Sequence, residues 1–399
     1  MSDSFHAVKL NDRVYWVGAI DWAMRDFHGY ATRRGSTYNA YLILADKVTL
    51  IDTVKAPFVD EMMARVASVI DPAKIDYVIS NHTEMDHSGG LPVVLDRVKP
   101  EKFLASRMGA KALPEHFALP CDITPVEEGG SLSLGDCSVT FVETRMLHWP
   151  DSMFTYLNED KLLFSSDAFG MHVASVERFA DEIPETVLEY EGGKYFANIL
   201  LLYAPLILKL IEKVGKLGIE IATIAPDHGP IWRKNPEKIV EWYAKWAAQK
   251  PTRKAVIAYD TMWKSTETMA RAIEQGLVDG DASVKVMHLR ADHRSDVVTE
   301  MLDAGALLVG SPTLNNGMFP TVAELLCYLK GLKPKNLIGT AFGSYGWSGE
   351  AVGQIAEELE GMKVSLVAET IKAKYVPTEK DLAACRALGL AIAKALPAK

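Results

Sequence analysis

Tyr77-Val78-Ile79-Ser80-Asn81-His82-Thr83-Glu84-Met85-Asp86-His87-Ser88-Gly89-Gly90 joins a short apolar run to a polar segment in which four potential metal ligands, His82, Glu84, Asp86 and His87, fall within six residues. The apolar run reads as a buried strand. A strand that ends in a glycine-containing loop lets side chains converge while the scaffold on either side fixes their directions. Three further candidates arrive in the same setting: His148 after Ser138–Val142, Asp167 after Leu162–Phe164, and His228 after Ile221–Ala225. A single histidine near an acid is more often an ordinary residue than a ligand, but seven candidates at strand ends reverse that judgement. Buried without a cation, Glu84, Asp86 and Asp167 would face one another at a severe electrostatic cost and titrate toward neutrality. A metal pair removes the problem.

Around this motif the first half mixes paired strands with helices. Tyr38–Leu44 and Val48–Ile51 read as adjacent strands, and Ala56–Ile70 as a helix with Pro57 near its start and apolar residues at Met62, Met63, Val66 and Ile70. Ser131–Leu134 and Ser138–Val142 flank Gly135-Asp136, and Met153–Leu157 and Leu162–Phe164 flank Asn158-Glu159-Asp160; both are hairpin signals. Amphipathic stretches at Lys194–Leu217 and Pro236–Ala248 follow, and Gln249-Lys250-Pro251-Thr252 reads as a linker. The expected domains are residues 1–250 and 251–399.

The second half alternates β-branched runs with helical patterns: Ala255–Tyr259, Val284–His288, Ala306–Gly310, Leu337–Phe342 and Val364–Val367, each followed by a helix. Five such units imply a parallel, doubly wound sheet whose ligand lies beyond the carboxyl ends of its strands. Three loops fall at that edge. Asp260-Thr261-Met262-Trp263-Lys264-Ser265-Thr266-Glu267 places hydroxyls and backbone N–H groups at a helix N-terminus, where a phosphate binds well, but it lacks the glycines of a nucleotide triphosphate loop. Ser311-Pro312-Thr313-Leu314-Asn315-Asn316-Gly317 and Gly343-Ser344-Tyr345-Gly346-Trp347-Ser348-Gly349 supply small residues for close approach to a flat ring, amides for its polar edge, and aromatic side chains for its face.

The length of 399 residues favours two domains, and 48% apolar with 24% charged residues fits a chain folded throughout. A net charge of -9, from 43 basic and 52 acidic residues, opposes nucleic-acid or anionic-membrane partners. The N-terminus lacks the pattern of a signal peptide, and no run reads as long and uncharged enough to span a bilayer; Ile199–Ile211, interrupted by Pro205 and Lys209, reads as a buried helix. The four cysteines form no C-x-x-C pair and read as free thiols in a reducing cytosol, so the expected location is cytoplasmic.

H-x-E-x-D-H with a separate later His, Asp and His resembles the metallo-β-lactamase superfamily, with one departure. The zinc hydrolases carry H-x-H-x-D-H, and here the second histidine is Glu84. An anionic oxygen ligand in place of a neutral nitrogen favours harder iron. That is the pattern of the flavodiiron proteins, and the second half resembles a flavodoxin, so the resemblance covers nearly the whole chain. It implies an αββα metallo-β-lactamase-like sandwich followed by a five-stranded flavodoxin-like domain, an α/β multidomain protein. It further implies two non-haem irons, one held by His82, Glu84 and His148, the other by Asp86, His87 and His228, with Asp167 as the bridge. The flavodoxin loops would hold FMN through Thr261, Met262, Trp263, Ser265, Thr266, Pro312, Thr313, Leu314, Asn315, Asn316, Ser344, Tyr345, Gly346, Trp347 and Gly349.

The implied activity is reduction of O2 to water, of NO to N2O, or both. Electrons would come through FMN from a rubredoxin-like donor, since the chain lacks the cysteine pairs of an appended rubredoxin. The implied assembly is a head-to-tail homodimer or a dimer of dimers. His172 and His28 read as residues that orient ligands or donate protons; Tyr195 reads equally as a tyrosine near the diiron pocket and as a helix core position. Two competing readings are a zinc hydrolase fused to a flavodoxin-like module and a non-catalytic FMN electron carrier.

Overall fold

In a computed structural model that describes residues 5–398, the Tyr77–Ser80 run is a strand buried at every position, as an apolar segment flanked by strands on both sides must be. It lies inside a seven-stranded sheet ordered Val8–Lys9, Val14–Trp16, Tyr41–Ile43, Thr49–Ile51, Tyr77–Ser80, Lys102–Ser106, Ile123–Val126. The first three pairings are antiparallel and the last three parallel. A second, five-stranded sheet runs Ser131–Ser133, Ser138–Glu143, Met153–Leu157, Leu162–Phe164, Thr223–Ala225; both expected hairpins are present, and only the final pairing is parallel.

Alternation of side chains across each strand gives the two sheets a shared interior. Val14, Trp16, Tyr41, Ile43, Ile79 and Leu104 from the first sheet join one buried cluster with Phe141, Leu157 and Phe164 from the second. The opposite face of the first sheet presents Leu42, Leu50, Val78 and Phe103 to Met62 and Val66 of helix Val59–Ala67 and to Leu91, Val94 and Leu95 of helix Leu91–Val98. On the second sheet, Phe154 meets Phe169, whose ring lies 4.9 Å from Tyr243 of helix Glu237–Ala248. This is the αββα layering of the metallo-β-lactamase fold. Each candidate ligand segment leaves a strand at its carboxyl end, so the sandwich delivers all of them to one rim.

The chain divides into two compact units. One contains the chain through His28 together with Thr32–Tyr195 and Pro205–Ala244; the other contains Gly29–Ala31, Phe196–Ala204 and Lys245 onward. The second unit is built on a parallel sheet ordered Ser283–His288, Lys254–Tyr259, Ala306–Gly310, Ile338–Tyr345, with the last position shared by Ser365–Leu366 and Ile371–Lys374. Strand order 2-1-3-4-5 is that of flavodoxin-like sheets. The fifth strand, expected at Val364–Val367, is thus split in two. Its second piece pairs with Phe342–Tyr345 and extends the fourth strand past the expected end at Phe342. Tyr345 is consequently the last residue of a strand rather than a loop residue.

The expectation that no run could span a bilayer needs correction. Glu185–Lys216 forms a 32-residue helical stretch long and apolar enough by length and composition, with 44% of its most apolar window buried inside the protein. Gly192 and Gly193 are weak helix formers, yet both are buried inside helix Glu185–Tyr195, where packing offsets that propensity. A π turn at Phe196–Leu200 and a 3-10 turn at Leu201–Tyr203 interrupt the stretch before helix Ala204–Leu217. Leu206 and Leu208 are exposed, so Ile199–Ile211 is only partly buried.

Candidate metal centre and flavin-binding edge

The segment after Tyr77–Ser80 does not remain a loop. Glu84 lies in extended backbone, and Met85–Ser88 then forms one helical turn that carries Asp86 and His87. His82 Nε2 and Glu84 Oε2 meet at 3.3 Å, and the tight turn returns Asp86 and His87 to the same cluster. The exposed Met85 faces away. Gly90 permits the turn to pack under the scaffold, because a Cβ there would stand 2.8 Å from Val54 O.

All seven expected ligands converge. Potential ligand atoms of His82, Glu84, His148 and Asp167 lie within 4.8 Å of one another, and so do those of Asp86, His87 and His228. Asp167 belongs to both neighbourhoods. Its Oδ2 lies 3.0 Å from His148 Nε2 and 3.3 Å from His82 Nε2, while its Oδ1 lies 3.1 Å from His87 Nε2 and 3.4 Å from His228 Nε2. Glu84 Oε2 is 3.0 Å from His148 Nε2, and Asp86 Oδ2 is 3.2 Å from His228 Nε2. Four imidazole Nε2 atoms thus point at three carboxylates inside the protein. Asp86 Oδ1 lacks a hydrogen-bond partner among the described residues. Buried carboxylates are seldom left so; two cations answer the donor set.

The field within the cluster departs from the expectation that its carboxylates would titrate toward neutrality, because the facing imidazoles hold Glu84, Asp86 and Asp167 ionised. Burial alone would raise the Glu84 carboxyl, yet hydrogen bonds with His148 and His82 hold it well below the usual carboxylate range. Burial opposes protonation of His82, but hydrogen bonds to Asp151 and Glu84 raise it to about 10. Protons on these imidazoles and metal cations therefore compete for the same negative charge.

Of the residues read as orienting or proton-donating, His28 places Nε2 3.0 Å from Glu84 Oε1. His172 is fully buried, its ring 4.7 Å from His228 and 5.2 Å from Tyr195, with Nδ1 2.8 Å from Ser36 Oγ. Burial first, then the neighbouring His228, hold His172 well below its ordinary value, so it stays neutral. Tyr195 is buried and combines both readings left open by the sequence: it is a helix core residue that borders the cluster.

The sequence reading missed the residues behind the ligands. Asp151 Oδ2 lies 3.3 Å from His82 Nδ1 and accepts from Thr83 N at 2.7 Å. Thr37 O accepts from His228 Nδ1 at 2.6 Å. Asp52 accepts from Asn81 N and Nδ2, both at 2.7 Å, and burial pushes it up to about 6. One signal was available: Asp151 follows His148 by three residues and has no charged neighbour in sequence to pair with.

In the second unit the three loops gather at the carboxyl ends of adjacent strands, Lys254–Tyr259, Ala306–Gly310 and Ile338–Tyr345. Ser265 opens helix Ser265–Asp279, whose N-cap, Lys264, has a left-handed backbone and no side-chain cap. Thr261 Oγ1 is buried there without a partner among the described residues. Uncapped N–H groups and an orphaned hydroxyl suit a phosphate. Thr266 Oγ1 lies 3.0 Å from Ser344 Oγ, and Thr313 N donates to Ser344 O at 2.9 Å, tying the loops together. Pro312 is buried; Leu314 closes a turn on Gly317 in which Asn315 and Asn316 adopt positive φ. Tyr345, Gly346 and Gly349 are half-buried, and Met262 is exposed. Trp263 and Trp347 are 89% and 87% exposed, open for a planar ligand to cover.

The comparisons with known proteins match this layout. A family model described as ODP family beta lactamase matches residues 37–229, and one described as flavodoxin matches residues 257–389. A nitric oxide reductase from Moorella thermoacetica is 47% identical over 97% of this chain and 98% of its own. The solved structure of rubredoxin oxygen:oxidoreductase from the anaerobe Desulfovibrio gigas has a TM-score of 0.96 at 47% identity, covering 98% of each chain. That of the flavodiiron protein from Giardia intestinalis has a TM-score of 0.94 at 33% identity, covering 99% of this chain and 97% of the other. With both halves matched and the full length covered, the chain belongs to the flavodiiron protein family.

Proposed function

We propose that this chain reduces O2 to water, NO to N2O, or both, in the cytoplasm, with electrons received from a rubredoxin-like protein. His82, Glu84 and His148 would hold one iron, Asp86, His87 and His228 the other, within residues 1–250. Asp167 would serve both, and its two oxygens, each turned to a different histidine group, are the observation that carries the reading. FMN would bind the 251–399 domain through the three loops above. When bound, the two irons and FMN supply an open gas-binding position and four reducing equivalents, the number that conversion of one O2 to two waters consumes.

The protein's own groups set the conditions. Asp151 and Thr37 O hold His82 and His228 by their far nitrogens and so fix which nitrogen faces the metal side. His172 and Tyr195, both buried against the cluster, border the reacting space and keep it dry. Ser36 Oγ, 2.8 Å from His172 Nδ1, holds the ring of this neutral histidine in place. The exposed tryptophans at the flavin edge favour burial against another molecule. A head-to-tail homodimer or dimer of dimers, with each flavin edge covered by a partner chain, would use them.

The test is reconstitution with ferrous iron and FMN, anaerobic reduction by rubredoxin, and separate addition of O2 and NO. Consumption of four electrons per O2, or one per NO, supports the proposal. Zinc retention with hydrolytic turnover and no gas consumption overturns it in favour of a hydrolase.

A further inference from the structure

We propose that Asn39 is the positioning residue for His228: its amide grips the backbone on both sides of that histidine and holds the imidazole on the metal side. The inference rests on the diiron reading above and assigns one residue's part in it.

Asn39 is fully buried, and the following four hydrogen bonds tie it to its surroundings among the described residues. Its Nδ2 donates to Pro226 O at 2.7 Å and to Gly229 O at 2.9 Å, using both amide hydrogens. Its backbone N donates to Asp227 O at 2.7 Å, and its Oδ1 accepts from Trp16 Nε1 at 2.8 Å. Three of the four bonds end on carbonyls that bracket His228 in sequence.

The surroundings make this grip stiff. The guanidinium groups of Arg65 and Arg178 lie over the Trp16 ring, 4.7 and 4.6 Å from its centroid, and pack the buried indole that donates to Asn39 Oδ1. Gly229 has φ +75°, and a Cβ there would stand 2.7 Å from Met171 O, so the residue after His228 has no room for another path. Tyr41 Oη adds a 2.6 Å bond to Pro226 O, and Thr37 Oγ1 accepts from Gly229 N at 2.7 Å. Of these contacts the Asn39 side chain alone reaches both flanks of His228. A carboxylate of the same shape could still accept from Trp16, but its second oxygen would face two carbonyl oxygens where the amide now donates.

Asn39→Asp in the holoprotein is therefore the informative variant, with Trp16→Phe as its companion, which removes one bond to Asn39 and leaves the amide's grip on the loop. Both are loaded with ferrous iron and FMN and challenged with a chelator, with iron and FMN counted and Mössbauer spectra recorded. N39D is expected to hold one of its two irons roughly ten- to hundredfold more weakly, to lose one ferrous component from the spectrum, and to keep its FMN. W16F is expected to keep both irons. If N39D is not obtained folded, Asn39→Ala, which leaves the carbonyls unpaired rather than repelled, carries the same expectation with a smaller loss. Two irons and an unchanged spectrum in the folded variant overturn this inference alone, as does parallel loss of iron from N39D and W16F. Wild-type protein that takes up no iron overturns the diiron reading beneath it.

Discussion

Asp151 stands directly behind His82: its Oδ2 is 3.3 Å from His82 Nδ1, on the side of the ring away from Glu84 and Asp167. The same oxygen accepts from Thr83 N at 2.7 Å, and Ser106 Oγ holds the Asp151 carbonyl at 2.7 Å. Asp151→Ala would leave a buried ring nitrogen and a buried amide unpaired, at about 1–3 kcal/mol each. We expect the variant to bind iron at least about tenfold more weakly. Asp151→Asn, which can still accept from Thr83, should lose less. Iron titration of the two variants ranks them, and equal affinities would remove Asp151 from this role.

Asp167 lies against both groups of candidate ligands, and the proposed function makes it common to both metals. Asp167→Asn preserves shape but replaces one anionic oxygen with an amide that repels a cation. Iron content should fall below two per chain and gas consumption by more than about a hundredfold. Full iron occupancy with retained turnover would show that no shared carboxylate is needed.

Glu84 is the departure that separates this chain from the zinc hydrolases. Glu84→His restores three nitrogen-rich positions and should raise the zinc-to-iron ratio taken up from an equimolar mixture by about tenfold, with loss of gas reduction. Elemental analysis of the purified variant reads the ratio directly. An unchanged ratio would mean that the rest of the cluster, not this position, selects the metal.

Metal uptake should release protons. In the metal-free cluster His82 is raised to about 10, and His87 and His148 are raised as well, whereas Glu84, Asp86 and Asp167 are lowered and already ionised. A metal takes the neutral imidazole, so each bound iron displaces protons from histidine and none from carboxylate. Affinity should therefore strengthen as pH rises from below the ordinary histidine range toward about 10. Calorimetry in buffers of different ionisation heat measures the release; heats independent of buffer would contradict it.

At the flavin edge, Thr266 sits in the first turn of helix Ser265–Asp279, where the proposed phosphate would lie. Thr266→Asp puts a carboxylate among the donors that the phosphate needs. FMN affinity should drop by more than about tenfold, while iron content stays at the wild-type value. Flavin fluorescence on titration gives the first number and iron analysis the second.

The convergence of the candidate ligands, the two-domain order and the gathering of three loops at one sheet edge were legible in the amino-acid order alone, because each rests on a local rule. Ligands cluster where strands end, alternating β-branched runs and helical patterns make a parallel sheet, and hydroxyls before a helix mark a phosphate site. The partners that aim those residues were not legible. Asp151 reaches His82 across 69 positions, Asn39 reaches Pro226 across 187, and Thr37 reaches His228 across 191, contacts that exist only once two sheets have closed on each other. The same holds for the split fifth strand, set by pairing with Phe342–Tyr345, and for Gly192 and Gly193, kept helical by burial. Chain order determined which atoms this protein can offer a metal and a flavin. Tertiary packing decided their direction, because a hydrogen bond between distant segments depends on the distance the fold imposes and leaves no periodic trace along the chain.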